Sequence, residues 1–181
     1  MRNKIEDLID INSRKGLPRS YRFNPFLRWF TFIFALAAIA YAIWMIWAKI
    51  NASSPGFYKI VPFIILFLAL NSLLKNLFSL NAVKIAQDQV VFSYWGRKSV
   101  KLKWENLERM EFSSGKQKQI VIKFHEDGVE KLFSFTINFP NMLEIVNSIA
   151  EMCPHLEFDD FMKNVIVSPA ERNKYYRKDT D

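Results

Sequence analysis

From Trp29 to Ala48 the chain runs for 20 consecutive residues without a charge, and from Phe57 to Leu74 it does so again with Lys59 as the one exception. At about 1.5 Å per residue, such a run as a helix comes close to the ~30 Å hydrocarbon thickness of a bilayer. Neither run shows a polar stripe, so a soluble fold would have to cover each on every side, and the rest of the chain is too short to do so. Both are expected to cross a membrane as helices that satisfy their own backbone hydrogen bonds. Lys59 lies near the start of its run, where its ammonium can snorkel to the interface. The polar turn at Ser53, Ser54, Pro55 and Gly56 makes the two helices antiparallel neighbours.

Within the first run Ala35, Ala38 and Ala42 share one helical face, where small side chains let a neighbouring backbone approach; Ala69 and Ser72 offer the same in the second. Asn71 and Ser72 are the clearly polar residues deep in the second run, and interhelical hydrogen bonding is their expected role. Pro62 is expected in the first turn or so of its helix. The second helix is expected to run on past Lys75 through Asn76 to Ser79.

After Leu80 the period changes to two. Val83 and Ile85, then Val90, Phe92 and Tyr94, then Val100, Leu102 and Trp104 alternate with polar positions, as half-buried strands do. Met110 and Phe112, Ile120 to Phe124, and Leu132 to Ile137 continue the pattern. Turns are marked at Trp95-Gly96-Arg97-Lys98, Ser113-Ser114-Gly115 and Glu126-Asp127-Gly128. From Met142 to Met152 apolar residues recur at spacings of three and four, predicting an amphipathic helix with Pro140 in its first turn and Pro154 as its stop. The fold class expected is a membrane α-helical hairpin joined to an α+β, mainly-β domain: about six short antiparallel strands curled under one C-terminal helix. The organisation is residues 1–25 as a basic arm, 26–80 as the hairpin, 81–158 as the sheet domain and 159–181 as a mobile tail. Ile5, Leu8, Ile9 and Ile11 in the arm fit either a short helix on the membrane surface or a disordered segment that sets topology.

The segment VKIAQDQVVFSYWGRKSVKLKWENLERMEF, from Val83 to Phe112, resembles the opening of bacterial PH-like domains. It has a strand, a polar turn at Asp88, a second strand, a third ending in Trp104, and a Glu105-Asn106-Leu107 step into the next strand. The resemblance extends from about Asn81 to Cys153 and implies a PH-like barrel with a capping helix and a role in binding or assembly. It implies no catalytic residue, and Trp104 and Leu107 in it are packing positions.

Charge fixes the expected orientation. The net charge is +7; residues 1–28 contribute +4, residues 29–80 add +3, and residues 81–181 balance 15 cations against 15 carboxylates. Basicity confined to the membrane-flanking parts argues for anionic headgroups and against nucleic acid. Seven Lys/Arg precede Trp29, whereas Lys49 and Lys59 flank the turn, so the positive-inside rule places both termini in the cytoplasm of a multi-pass inner-membrane protein. Tyr41, Trp44, Trp47 and Tyr58 then fall at the outer interface, and Tyr21, Phe23 and Trp29 at the inner one. The 28 residues before Trp29 and the length of the apolar run do not fit a cleaved signal peptide. Asn51-Ala52-Ser53 matches a glycosylation acceptor, which so close to a membrane reads as chance.

Catalytic chemistry finds little to work with. Cys153 is the single cysteine and reads as a small hydrophobe; His125 and His155 are unpaired by spacing, so no metal or cofactor is expected. No G-x-S-x-G, G-x-G-x-x-G or P-loop pattern occurs, and Glu126 beside Asp127 reads as a turn, so no enzyme is expected. The candidate contact site is basic: Arg97 and Lys98 at a turn, with Lys101 and Lys103 on the outward face of one strand. These cations fit anionic lipid headgroups or a partner, or, for the strand lysines, the protection of a sheet edge. The function expected is a membrane-anchored binding or scaffold protein that holds a protein partner or forms a homo-oligomer. The alternatives are an accessory subunit of a transporter or membrane enzyme complex, assembled through Ala35, Ala38 and Ala42, or a sensor of anionic lipid.

Overall fold

The computed structural model describes residues 16–51, 53–115 and 117–166. The element order is β1 (Arg19–Arg22), α1 (Pro25–Lys49), α2 (Gly56–Phe78), β2 (Ala82–Ile85), β3 (Gln89–Ser93), β4 (Val100–Lys103), β5 (Leu107–Ser113), β6 (Gln119–Glu126), β7 (Val129–Thr136), α3 (Met142–Met152), β8 (Glu157–Phe158) and α4 (Asp160–Val165). The chain forms two units: a hairpin unit of Arg22–Asn81 with Ser93–Ser99, and a sheet unit made of the remainder. The apolar pattern of Ile5 to Ile11 lies outside the described residues.

In the hairpin unit α1 starts where Asn24 accepts hydrogen bonds from the amides of Phe26 (3.0 Å) and Leu27 (3.4 Å), with Pro25 as the first helical residue. Both helices are long and apolar enough to cross a membrane, and only 11% of the most apolar window of each is buried. A core helix of a soluble domain would be mostly buried, so these two present their apolar surface outward. Ala35, Ala42, Pro62 and Ala69 are the buried apolar residues within them. Ala38 is half-buried. Ser72 is exposed. Asn71 is exposed as well. The interhelical polar link is made by Asn76 instead, whose Nδ2 donates to the Arg28 carbonyl (3.0 Å) and to Thr31 Oγ1 (2.8 Å). As expected, α2 extends beyond Lys75; it also begins at Gly56, which puts Pro62 in the second turn, not the first. The turn is tied by Ser54, whose amide donates to the Asn51 carbonyl (3.0 Å) and whose hydroxyl accepts from the Asn51 amide (2.9 Å).

The sheet unit is two four-stranded sheets, ordered β1-β2-β3-β4 and β7-β6-β5-β8. The six strands expected after Leu80 form. Two more join them: β1 from the segment read as an arm, and β8, which follows α3 and runs parallel to β5. A two-residue β8 is too short to show a period, and β1 is isolated in sequence from the other strands by the whole hairpin. Asp127 (φ 56) and Gly128 (φ 75) form the two-residue β6–β7 turn, whose left-handed backbone conformation Asp and Gly accept more readily than most residues. The sheets share a core in which the Phe92 ring lies 4.5 Å from Phe133 and 5.1 Å from Phe135. Trp104 and Leu107 are buried in it, and Trp104 Nε1 donates to the Ala86 carbonyl (3.1 Å). Helix α3 is amphipathic as its spacing predicts, burying Ile145, Val146 and Ile149, but Asn141 (φ 57) caps it and Pro140 stands outside. Of the segment 159–181 expected to be a mobile tail, Asp160–Val165 forms α4, capped by Asp159, and the part beyond 166 lies outside the described residues.

The chain order is the unexpected part. It leaves the sheet after β1, passes through both apolar helices and returns as β2, the strand next to β1. The Phe23 amide donates to the Asn81 carbonyl (3.1 Å), and the Asn81 amide to the Ser93 carbonyl (2.8 Å). The helical hairpin is thus an insertion between two neighbouring strands and not a leader ahead of the domain.

Candidate functional site

The most elaborated polar cluster of the hairpin unit is at its open end, where α1 begins and α2 stops. The last carbonyls of a helix have no intrahelical partner and carry the negative end of its dipole. Arg28, only 4% exposed, fills that role for α2: Nη2 donates to the carbonyls of Asn76 and Ser79 (3.0 Å) and to Ser79 Oγ (3.2 Å), and Nη1 donates to the Leu80 carbonyl (3.1 Å). A planar guanidinium is the side chain that can satisfy several diverging acceptors at once.

The β3–β4 connection belongs to this unit. The Trp95 ring lies 4.8 Å from the Arg28 guanidinium carbon, 5.2 Å from Trp29 and 6.0 Å from Phe32. The next residue is glycine for a steric reason. The Gly96 amide donates to the Leu77 carbonyl (2.9 Å), and a Cβ there would lie 3.1 Å from Leu77 Cβ and 3.3 Å from the Leu77 oxygen. Tyr94 is buried, which raises its phenol pKa, while the guanidinium of Arg97, 3.6 Å over the ring, pulls the other way. Arg97 and Lys98 are exposed.

The structure therefore divides the four candidate cations. Arg97 and Lys98 fall in the hairpin unit, Lys101 and Lys103 in the sheet unit. Lys101 and Lys103 are exposed on β4, the edge strand of its sheet, and Lys103 pairs with Glu105 (3.4 Å). Sequence reasoning did not find the Arg28 cluster. Its signals were Arg28 at the head of an apolar run and Asn76 just beyond the other. At the turn end, a shallow hollow of about 410 Å³ is lined by Tyr41, Trp44, Met45, Lys49, Ser54, Pro55 and Tyr58. Trp47 stands 88% exposed.

Comparison with known proteins finds no family model and no curated sequence that matches this chain. The chemistry must be read from the residues themselves. In the sheet unit Cys153 is buried, with Sγ 3.4 Å from His155 Nε2, and burial pushes its thiol up to about 11. A thiol held protonated at neutral pH is a poor nucleophile. Among the described residues no group of three His, Cys, Asp or Glu could hold a metal ion.

Proposed function

We propose that the protein is an integral membrane binding or scaffold protein of the inner membrane. In this reading α1 and α2 cross the bilayer, both termini are cytoplasmic, and the sheet unit is a PH-like domain kept at the inner leaflet for a protein partner. The observation that carries the reading is the insertion of the hairpin between neighbouring strands β1 and β2. The chain leaves β1 two residues before α1 and enters β2 three residues after α2, so no free linker joins the domain to the helices and any partner it holds is held at the membrane. Two sheets followed by α3 support the PH-like part, with β1–β4 in one sheet and β5–β7 in the other. Assembly through the helices has less support, since Ala35, Ala42 and Ala69 are already buried within the hairpin.

Native mass spectrometry of the full-length protein in mild detergent tests this. A stoichiometric foreign subunit, lost when the exposed face of the sheet unit is mutated, is the expected result. A protein that carries lipid alone at every concentration would count against the scaffold reading.

A further inference from the structure

The charge of this chain is partitioned by unit. Residues 22–81 and 93–99 contain seven Lys/Arg and no Asp or Glu, so the remaining residues hold 18 cations and 18 carboxylates and the hairpin unit carries the whole net charge of +7. In the sheet unit cations are answered locally: Arg19 by Glu151, Arg109 by Glu111, Lys131 by Glu126 and Lys163 by Asp160. In the hairpin unit Arg22, Lys75, Arg97 and Lys98 are exposed and, among the described residues, form no ion pair. Lys49 and Lys59 flank the turn, and Arg28 is occupied by carbonyls.

Setting the orientation of the helices accounts for Arg22 and Lys75, which flank them. It does not account for Arg97 and Lys98, which follow the second helix by some twenty residues. These two reach the open end because the β3–β4 loop is fastened there by Trp95 against Arg28, Trp29 and Phe32, by the Gly96 amide on Leu77, and by buried Tyr94. An indole against the first turns of an apolar helix, with two exposed cations following after one glycine, matches the amphipathic arrangement that residues adopt at headgroup depth. Arg97 is further positioned by the Tyr94 ring, whose centroid lies 3.6 Å from its guanidinium carbon, and a guanidinium can make a forked contact with phosphate oxygens.

We propose that the Tyr94–Lys98 loop is a binding site for anionic phospholipid headgroups, with Arg97 and Lys98 as phosphate ligands and Arg22 and Lys75 contributing to the field. The proposal rests on the reading that α1 and α2 cross the bilayer. A juxtamembrane cation contributes about fivefold to anionic-lipid affinity, so neutralising both loop cations removes roughly 25-fold.

The test uses the full-length protein reconstituted in an equimolar mixture of phosphatidylglycerol and phosphatidylcholine, with the lipids that remain bound counted by native mass spectrometry. Wild type is expected to retain phosphatidylglycerol preferentially. The double variant Arg97→Gln/Lys98→Gln should lose that preference, Arg97→Lys/Lys98→Arg should keep it, and Lys101→Gln/Lys103→Gln should leave it unchanged. Unaltered preference in the first variant, or equal loss in the last, overturns the headgroup site. Alkaline extraction of the same vesicles separates the two readings: a wild-type protein released from the bilayer overturns the membrane-spanning reading and the site with it, while retention without lipid preference overturns the site alone.

Discussion

At the scale of single residues, Arg28 and Gly96 decide whether the open end of the hairpin holds. Arg28→Met keeps the apolar stem of the side chain but strands the carbonyls of Asn76, Ser79 and Leu80, which Arg28 satisfies. Buried acceptors without partners cost about 1–3 kcal/mol each. Thermal unfolding in detergent should show Arg28→Met clearly destabilised and Arg28→Lys between it and wild type, because an ammonium cannot fork; equal melting of all three would remove the role assigned to Arg28. Gly96→Ala would force Leu77 to give by a few tenths of an ångström at a cost of about 1–3 kcal/mol, read as a loosened loop with more mobile Trp95 fluorescence. Cys153 offers a simpler check. Buried and with its thiol pushed up to about 11, it should resist alkylation at neutral pH in the native protein and react on unfolding. Rapid labelling of the folded protein would show that the packing around α3 is looser than described.

At the scale of elements, Tyr21 shows how β1 is held. On alternate positions of β1, Arg19 and Tyr21 face α3: Arg19 Nη1 reaches Ser148 Oγ (3.1 Å) and Glu151 (3.1 Å), and the Tyr21 hydroxyl lies 3.2 Å from Ser148 Oγ and 3.3 Å from Glu144. Burial raises the Tyr21 phenol above its ordinary value of about 10, with Glu144 adding to the effect, while Ser148 and Arg19 oppose it. The folded state therefore retains this proton more tightly than the unfolded chain. Its contribution to stability is complete below the unfolded pKa and is lost as pH rises through the higher folded one. Tyr21→Phe should flatten the alkaline end of a stability-against-pH curve, and a curve unchanged by the substitution would detach Tyr21 from α3. What was legible in the sequence follows the same physics. Long periodic stretches showed themselves: two apolar runs, six alternating strands and the α3 stripe. β1 was not legible, because RSYR has no apolar alternation, its inward positions being Arg19 and Tyr21, and its partner strand lies some sixty residues away. The Arg97 and Lys98 turn was found, but its grouping with α1 and α2 depends on Trp95 and Gly96 meeting residues far along the chain.

At the scale of the whole molecule, the order of strands makes a demand that the alternative, a domain simply following a membrane hairpin, does not. If β1 is integral to its sheet, removing residues 1–22 should harm the sheet domain more than removing the hairpin does. Without β1, the strand next to β2 is missing, β2 becomes the edge, and Ser148, Glu144 and Glu151 lose their partners from Arg19 and Tyr21. Replacing residues 24–80 by a two-residue Asn-Gly turn instead leaves every strand in place. The Phe23 amide already bonds to the Asn81 carbonyl (3.1 Å), so the end of β1 lies beside the start of β2, the geometry that a tight hairpin turn closes. The shortened chain also loses the large apolar surface of both helices and should be soluble without detergent. Its expected behaviour is a cooperative unfolding transition with dispersed amide resonances, while the chain lacking residues 1–22 and the hairpin together should melt at lower temperature or fail to fold. The reverse order of stabilities would mean that β1 is dispensable, and that the hairpin is joined to the domain only through β2.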